Sequence, residues 1–193
     1  MQRRHLLLAG LGSLAGLALV GPSRLVLAQA CAAAPTEPNI EGPFYRPGAP
    51  FRSRLVGEMA SAPLVISGRV TDAACRPLRG TTIELWQADE HGEYDLDGDR
   101  YRGIVRCDAN GIFRVETIVP GRYLNGGAYR PAHLHAKVHA NGRPVLTTQL
   151  YFPGDPQNDS DPWFRPSLLL ASGPSPCCYV PNQPHRMTFQ FVV

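Results

Sequence analysis

Tyr94, Tyr123, His133 and His135 are the residues of this 193-residue chain whose types and spacing carry chemistry. The two histidines stand two apart in Arg130-Pro131-Ala132-His133-Leu134-His135. Side chains two apart on a β-strand project from one face, so both imidazoles reach a single point and form a bidentate metal claw. Tyrosine is a rare ligand, because its phenol must lose a proton of pKa about 10 and only a hard, strongly Lewis-acidic cation makes that easy. Two phenols with two imidazoles therefore point to ferric iron. The histidines by themselves also suit copper or zinc, and strand faces carry histidine without any metal. His91, His139 and His185 are read as structural; His139 shares the strand parity of the pair but lies roughly 13 Å or more along the strand, too far to share one ion.

The elements that must hold these residues are strands. Short, β-branched, alternating segments predict strands near Leu64–Thr71, Thr82–Gln87, Ile112–Ile118, His133–His139, Val145–Phe152 and Arg186–Val193. Turn chemistry separates them in Cys75–Gly80, Asp108–Gly111 and Ala140–Arg143, the last making a hairpin of the His-Leu-His strand and the next. Asp89–Arg102, aspartate-rich with glycines, is expected to be a loop carrying Tyr94, and only Trp163–Ala171, interrupted by Pro166, has the makings of a short helix. The fold expected is all-β: an antiparallel or mixed β-sandwich over residues 64–193 with long loops, preceded by an irregular arm rich in Pro and Gly over residues 31–63.

Glu41-Gly42-Pro43-Phe44-Tyr45, Glu84-Leu85-Trp86-Gln87-Ala88, Gly92-Glu93-Tyr94, Pro120-Gly121-Arg122-Tyr123, Arg130-Pro131-Ala132-His133-Leu134-His135 and Thr148-Gln149-Leu150-Tyr151-Phe152 follow one another along the chain. In that order they resemble the intradiol ring-cleavage dioxygenases, the family of protocatechuate 3,4-dioxygenase and catechol 1,2-dioxygenase, over about residues 36 to 193. The resemblance implies a non-haem Fe(III) ligated by Tyr94, Tyr123, His133 and His135, with Tyr123 and His135 axial. It implies that Tyr123 leaves the metal when a catechol-type substrate chelates it, that Arg130 stabilises charge developing on the substrate, and that Gln149 is its polar partner. By the same resemblance Trp86 and Tyr151 are pocket walls, and Pro43 and Phe44 belong to an arm closing over the substrate. The reaction implied consumes O2 and yields a cis,cis-muconate-type product. The Leu124–Tyr129 segment is shorter than in the protocatechuate enzymes and lacks the tryptophan typical after their axial tyrosine, so recognition of a substrate carboxylate is not carried over. The competing reading is a non-catalytic exported β-sandwich binding module, since fold does not fix function.

The first thirty residues read as a signal segment: Arg3-Arg4-His5, an uncharged run from Leu6 to Val20, then Ala28-Gln29-Ala30 as a cleavage site. The paired arginines resemble a twin-arginine signal, and an ordinary secretory signal or a lipoprotein signal at Cys31 stands beside it. The expectation is an exported protein without stable membrane insertion after processing. The formal charge of +3 vanishes once Arg3, Arg4 and Arg24 are set aside, which removes any electrostatic case for nucleic-acid or membrane binding. Five cysteines, Cys31, Cys75, Cys107, Cys177 and Cys178, without C-x-x-C spacing, predict one or two disulfides in an oxidising compartment. A bridge from Cys75 or Cys107 to the Cys177-Cys178 pair is one connectivity among several.

Overall fold

Apolar residues alternating with polar ones cannot be half-buried without a second layer, and the six expected strands meet that need by forming two stacked sheets. The computed structural model describes residues 33–57, 64–173 and 185–193. One sheet runs in the order β4-β1-β10-β9 and the other β3-β2-β7-β8. The first contains β1 (Leu64–Thr71), β4 (Ile112–Thr117), β9 (Ala171–Ser172) and β10 (His185–Val192); the second contains β2 (Thr82–Trp86), β3 (Arg102–Arg106), β7 (His133–His139) and β8 (Leu146–Tyr151). A small hairpin of β5 (Leu124–Asn125) and β6 (Ala128–Tyr129) stands apart. Every pairing within the sheets is antiparallel except β1 with β10, so the sandwich is mixed.

Leu64, Ile66, Val70, Phe113, Val115, Phe189 and Phe191 from one sheet meet Ile83, Leu85, Val105, Leu134, Ala136, Val138 and Leu150 from the other in a single apolar core. That core fixes the register of β7: Leu134, Ala136 and Val138 point inward, so His133 and His135 must point out of the opposite face.

The sequence reading missed β3 and the two-residue strands β5, β6 and β9. Strand β3 begins at the last residue of the stretch expected to be loop, because Gly103 and its flanking residues hide the strand pattern. Gly103 is needed where the arm lies on the sheet: a Cβ there would sit 2.8 Å from Leu55 Cδ2 and 2.9 Å from Arg52 Cγ. The two-residue strands β5 and β6 are too short to show periodicity. Within Trp163–Ala171 the chain makes only a single 3-10 turn, Pro166–Leu168, with Pro166 at its first position, where a missing N–H costs nothing.

The N-terminal arm is irregular over its described residues and pairs with strands at isolated bridges, Phe51 to Ile104 and Arg54 to Glu116, and at single hydrogen bonds such as Asn39 N–H to the Thr147 carbonyl. Cys75 is disulfide-bonded, whereas Cys107 is a free, buried thiol, so Cys107 is not the bridging residue. Cys31, Cys177, Cys178 and the signal segment lie outside the described residues. Among the described residues no helix is long and apolar enough to cross a membrane.

Candidate metal centre

The outer face of the β3-β2-β7-β8 sheet is the floor of the site. β7 lies between β2 and β8, and the register sets Trp86 and Gln149 on either side of His135, with Tyr151 beside His133. Trp86 stacks on the His135 ring at 4.8 Å and 7°. His133 Nδ1 lies 2.7 Å from the Pro131 carbonyl, which accepts its N–H and leaves Nε2 as a free lone pair. Tyr151 is fully buried behind His133, ring centroids 5.8 Å apart, and its hydroxyl donates to Gln149 Oε1 at 2.8 Å.

Two loops bring the tyrosines over this floor, and they are fused through backbone. Gly121 N–H donates to the Asp89 carbonyl at 2.7 Å. The Asp89 carboxylate accepts from the His91 and Glu93 amides, each at 2.9 Å. Where the loops touch, side chains are excluded: a Cβ on Gly121 would lie 2.5 Å from Gly92 N, and one on Gly92, whose φ is +89°, would lie 2.3 Å from the Arg122 carbonyl oxygen. Tyr94 and Tyr123 are therefore carried by one fused unit, their rings edge to face at 5.6 Å.

His133 Nε2 and His135 Nε2 are 3.2 Å apart, and the Tyr94 hydroxyl is 3.2 Å from His135 Nε2. Tyr123 packs at 5.7 Å from the His133 ring. Burial, then the Arg130 charge, pushes the His133 imidazole down to about 3, and burial, His133 and Arg130 hold His135 well below its ordinary range. Burial, then Tyr123, raises the Tyr94 phenol. Both imidazoles are thus neutral, and one of the facing nitrogens must lack a proton. If His135 donates across that gap, its Nδ1 becomes a buried acceptor beside the Ile40 carbonyl; if it keeps the Nδ1 proton, two lone pairs oppose each other. In either tautomer Nδ1 has no well-formed hydrogen bond. A cation seated among these atoms removes the conflict, and a set of two imidazoles and two phenols fits a hard, acidic ion such as Fe(III).

Arg130 is the hub behind the two histidines and two tyrosines. Its guanidinium donates to Asp161 Oδ1 at 3.1 Å and Oδ2 at 2.7 Å, to Gln149 Oε1 at 2.8 Å, to Tyr151 OH at 3.2 Å and to Tyr123 OH at 3.4 Å. It also lies 4.7 Å from the Trp163 ring centre. Burial opposes its charge, Asp161 and Tyr123 together outweigh burial, and Arg130 is a fixed cation. Asp161 and Trp163 were not singled out from the sequence. Their one signal was a carboxylate beside a proline and an aromatic, just where the short helix expected over Trp163–Ala171 would begin.

The arm completes the enclosure. Gly42 has φ +74°, which L side chains rarely adopt, and a Cβ there would lie a tight 3.2 Å from His135 Cε1. Phe44 stacks on Tyr94 at 4.3 Å and meets Tyr123 edge-on at 5.5 Å, while Pro43 is exposed. His91, His139 and His185 are exposed and take no part. Among the described residues no group of three or more histidines, cysteines or carboxylates gathers as an alternative metal site.

Two histidines and two tyrosines cluster on one face of a β-sandwich, and comparison with known proteins gives the family. Residues 40–192 match the family described as Dioxygenase, so the chain belongs to the intradiol dioxygenases. It is 36% identical over 139 residues to the chlorocatechol 1,2-dioxygenase of Cupriavidus pinatubonensis, covering 61% of this chain and 54% of that protein. It is 38% identical over 123 residues to the protocatechuate 3,4-dioxygenase beta chain of Burkholderia cepacia, covering 56% and 52%. The chain spans about half the length of the curated relatives it matches. Among solved structures, the dioxygenase domain of a dioxygenase carbohydrate-binding protein fusion from Streptomyces sp. SirexAA-E matches with TM-score 0.72 and 43% identity, over 83% of this chain and 98% of that one. The 3-chlorocatechol 1,2-dioxygenase of Rhodococcus opacus 1CP matches with TM-score 0.73 and 31% identity, over 81% and 72%.

Proposed function

We propose that this protein is a non-haem Fe(III) intradiol dioxygenase that cleaves a catechol-type diol with O2 to a cis,cis-muconate-type product. The observation that carries the reading is the convergence of His133 Nε2, His135 Nε2 and Tyr94 OH, with Arg130 bonded to Tyr123 OH beside them. Ferric iron, when bound by Tyr94, Tyr123, His133 and His135, would supply the Lewis acidity that makes a chelated catechol reactive toward O2.

The chain's own residues supply the rest. As a phenolate, Tyr123 would carry an oxygen able to take a catechol proton and become the phenol, and the Arg130 Nη1 donor against that oxygen would pair the negative charge beforehand. Asp161, Gln149 and Trp163 hold the guanidinium still, so no reorganisation is needed when negative charge grows on the substrate. Phe44 stacks on Tyr94 and Trp86 on His135, so the arm and the sheet close apolar rings around these groups and exclude water. Export is part of the proposal, supported by Arg3-Arg4 and the apolar run and by the bonded state of Cys75, which suits an oxidising compartment. Fractionation of the producing cells tests it.

The activity is tested by the visible spectrum of purified protein with iron quantified, before and after anaerobic catechol. The expected result is a tyrosinate-to-iron charge-transfer band that moves to longer wavelength with catechol. A protein that gains no band on ferric reconstitution returns the site to another metal or to a binding module.

A further inference from the structure

Residues 41–49 cross the mouth of the site with a turn at Pro43–Phe44, yet among the described residues no backbone group of theirs pairs with backbone outside the segment. The chain is tied down before them, where Asn39 N–H donates to the Thr147 carbonyl at 2.9 Å and Gln149 Nε2 to the Ile40 carbonyl at 2.9 Å. It is tied again where Arg102 donates to the Arg46 carbonyl at 2.7 Å. Between these ties only side chains hold it, and the two that face the sheet converge on one residue. Lys137 is the sole lysine of the chain. It lies on β7 with the parity of His133 and His135, and its Nζ is ion-paired with the Glu41 carboxylate. The same Nζ sits 3.8 Å from the centre of the Tyr45 ring. Tyr45 in turn donates its hydroxyl to Glu84 at 3.2 Å, and Glu84 is the buried cross-strand partner of Lys137. Gly42 and Phe44, which touch His135, Tyr94 and Tyr123, lie between the two latched residues.

We infer that Lys137 is a positioning residue: through Glu41 and Tyr45 it latches the 41–45 segment of the arm across the site, and so sets substrate capture without touching the reacting atoms. The ammonium is the right group for this job. Its compact charge pairs with the carboxylate on one side and with the ring face on the other, a geometry a planar guanidinium would meet differently. The effect on turnover rests on the dioxygenase reading; the latch itself does not.

The first test is chymotryptic cleavage after Phe44 and Tyr45 in metal-free protein, which reports how often the segment lifts. Lys137→Met and Glu41→Gln are each expected to speed cleavage about tenfold, the value of one charge-assisted hydrogen bond, and the double variant to be no faster than Lys137→Met. Glu41 is on the arm and half-exposed, so Glu41→Gln carries the test even where Lys137→Met folds poorly. In iron-loaded protein the same two variants are expected to raise KM for catechol about tenfold while kcat stays within about twofold. Cleavage rates equal to the parent in both single variants, or effects that multiply in the double, overturn the latch. Should parent and variants alike fail to turn over catechol, the dioxygenase reading falls while the cleavage rates still decide the latch.

Discussion

The two sheets of the sandwich are built from similar strands and used in opposite ways. In the β4-β1-β10-β9 sheet one face is core and the other largely meets solvent: Phe113 and Val115 are buried while Ile112 and Arg114 beside them are exposed, and Phe189 and Phe191 are buried around an exposed Gln190. In the β3-β2-β7-β8 sheet both faces are covered, one by the opposing sheet and the other by the arm and the tyrosine loops, so Glu84, His133, His135 and Gln149 are all buried. Burying polar side chains costs free energy unless each finds a partner. The double cover is what makes the difference chemical: it removes water from groups whose reactivity depends on their neighbours. The first sheet supplies stability, and the second draws on it to hold a buried polar site.

Substitutions that separate these two roles sharpen or break the contrast. The largest effect is expected from His135→Ala, which removes one arm of the claw: iron content and ring cleavage should fall to background while circular dichroism keeps its β spectrum. Retention of stoichiometric iron would assign the metal elsewhere. Next, Arg130→Lys keeps the charge but not the fork that engages Asp161 and Gln149, and kcat should drop about a hundredfold with the charge-transfer band retained. Loss of the band instead would make Arg130 a support of the ligands and no more. In the other sheet, Phe191→Ala should cost about 3–5 kcal/mol in urea unfolding, with the band of the protein that remains folded unmoved. A shifted band would show that the two sheets are not separable.

A smaller and graded effect comes from pH. In metal-free protein burial keeps His133 unprotonated down to about 3 and His135 well below its ordinary value. The unfolded chain takes up these protons near pH 6.5 and the folded chain does not. Stability is therefore intact above about pH 6.5 and declines as pH falls toward 3, by at most about 1.4 kcal/mol per pH unit for each histidine. Urea midpoints that stay flat from pH 7 to pH 4 would contradict the double cover.

Much of this was legible in the residues because it is local. Period-two alternation marks β1, β2, β4, β7, β8 and β10, and His-Leu-His on a strand places two imidazoles on one face whatever the rest of the chain does. What was not legible depends on contacts far apart in sequence. Gly103 lies inside β3 and breaks its strand pattern, for a reason visible only once Leu55 and Arg52 lie on it. Asp161 is thirty-one residues from Arg130, and nothing near it in the chain announces an ion pair. Cys107 reads like any other cysteine until the structure shows it free and buried.

The sequence by itself determined the fold class, the claw and the kinds of donor atom available, because residue type and strand periodicity act over a few residues. Only the tertiary structure decided that the tyrosine loops meet at Gly92 and Gly121, that Asp161 and Gln149 fix Arg130, and that the arm is held at Lys137. These are encounters between distant segments, and their energies exist only after the sandwich has closed and driven water from the face between them.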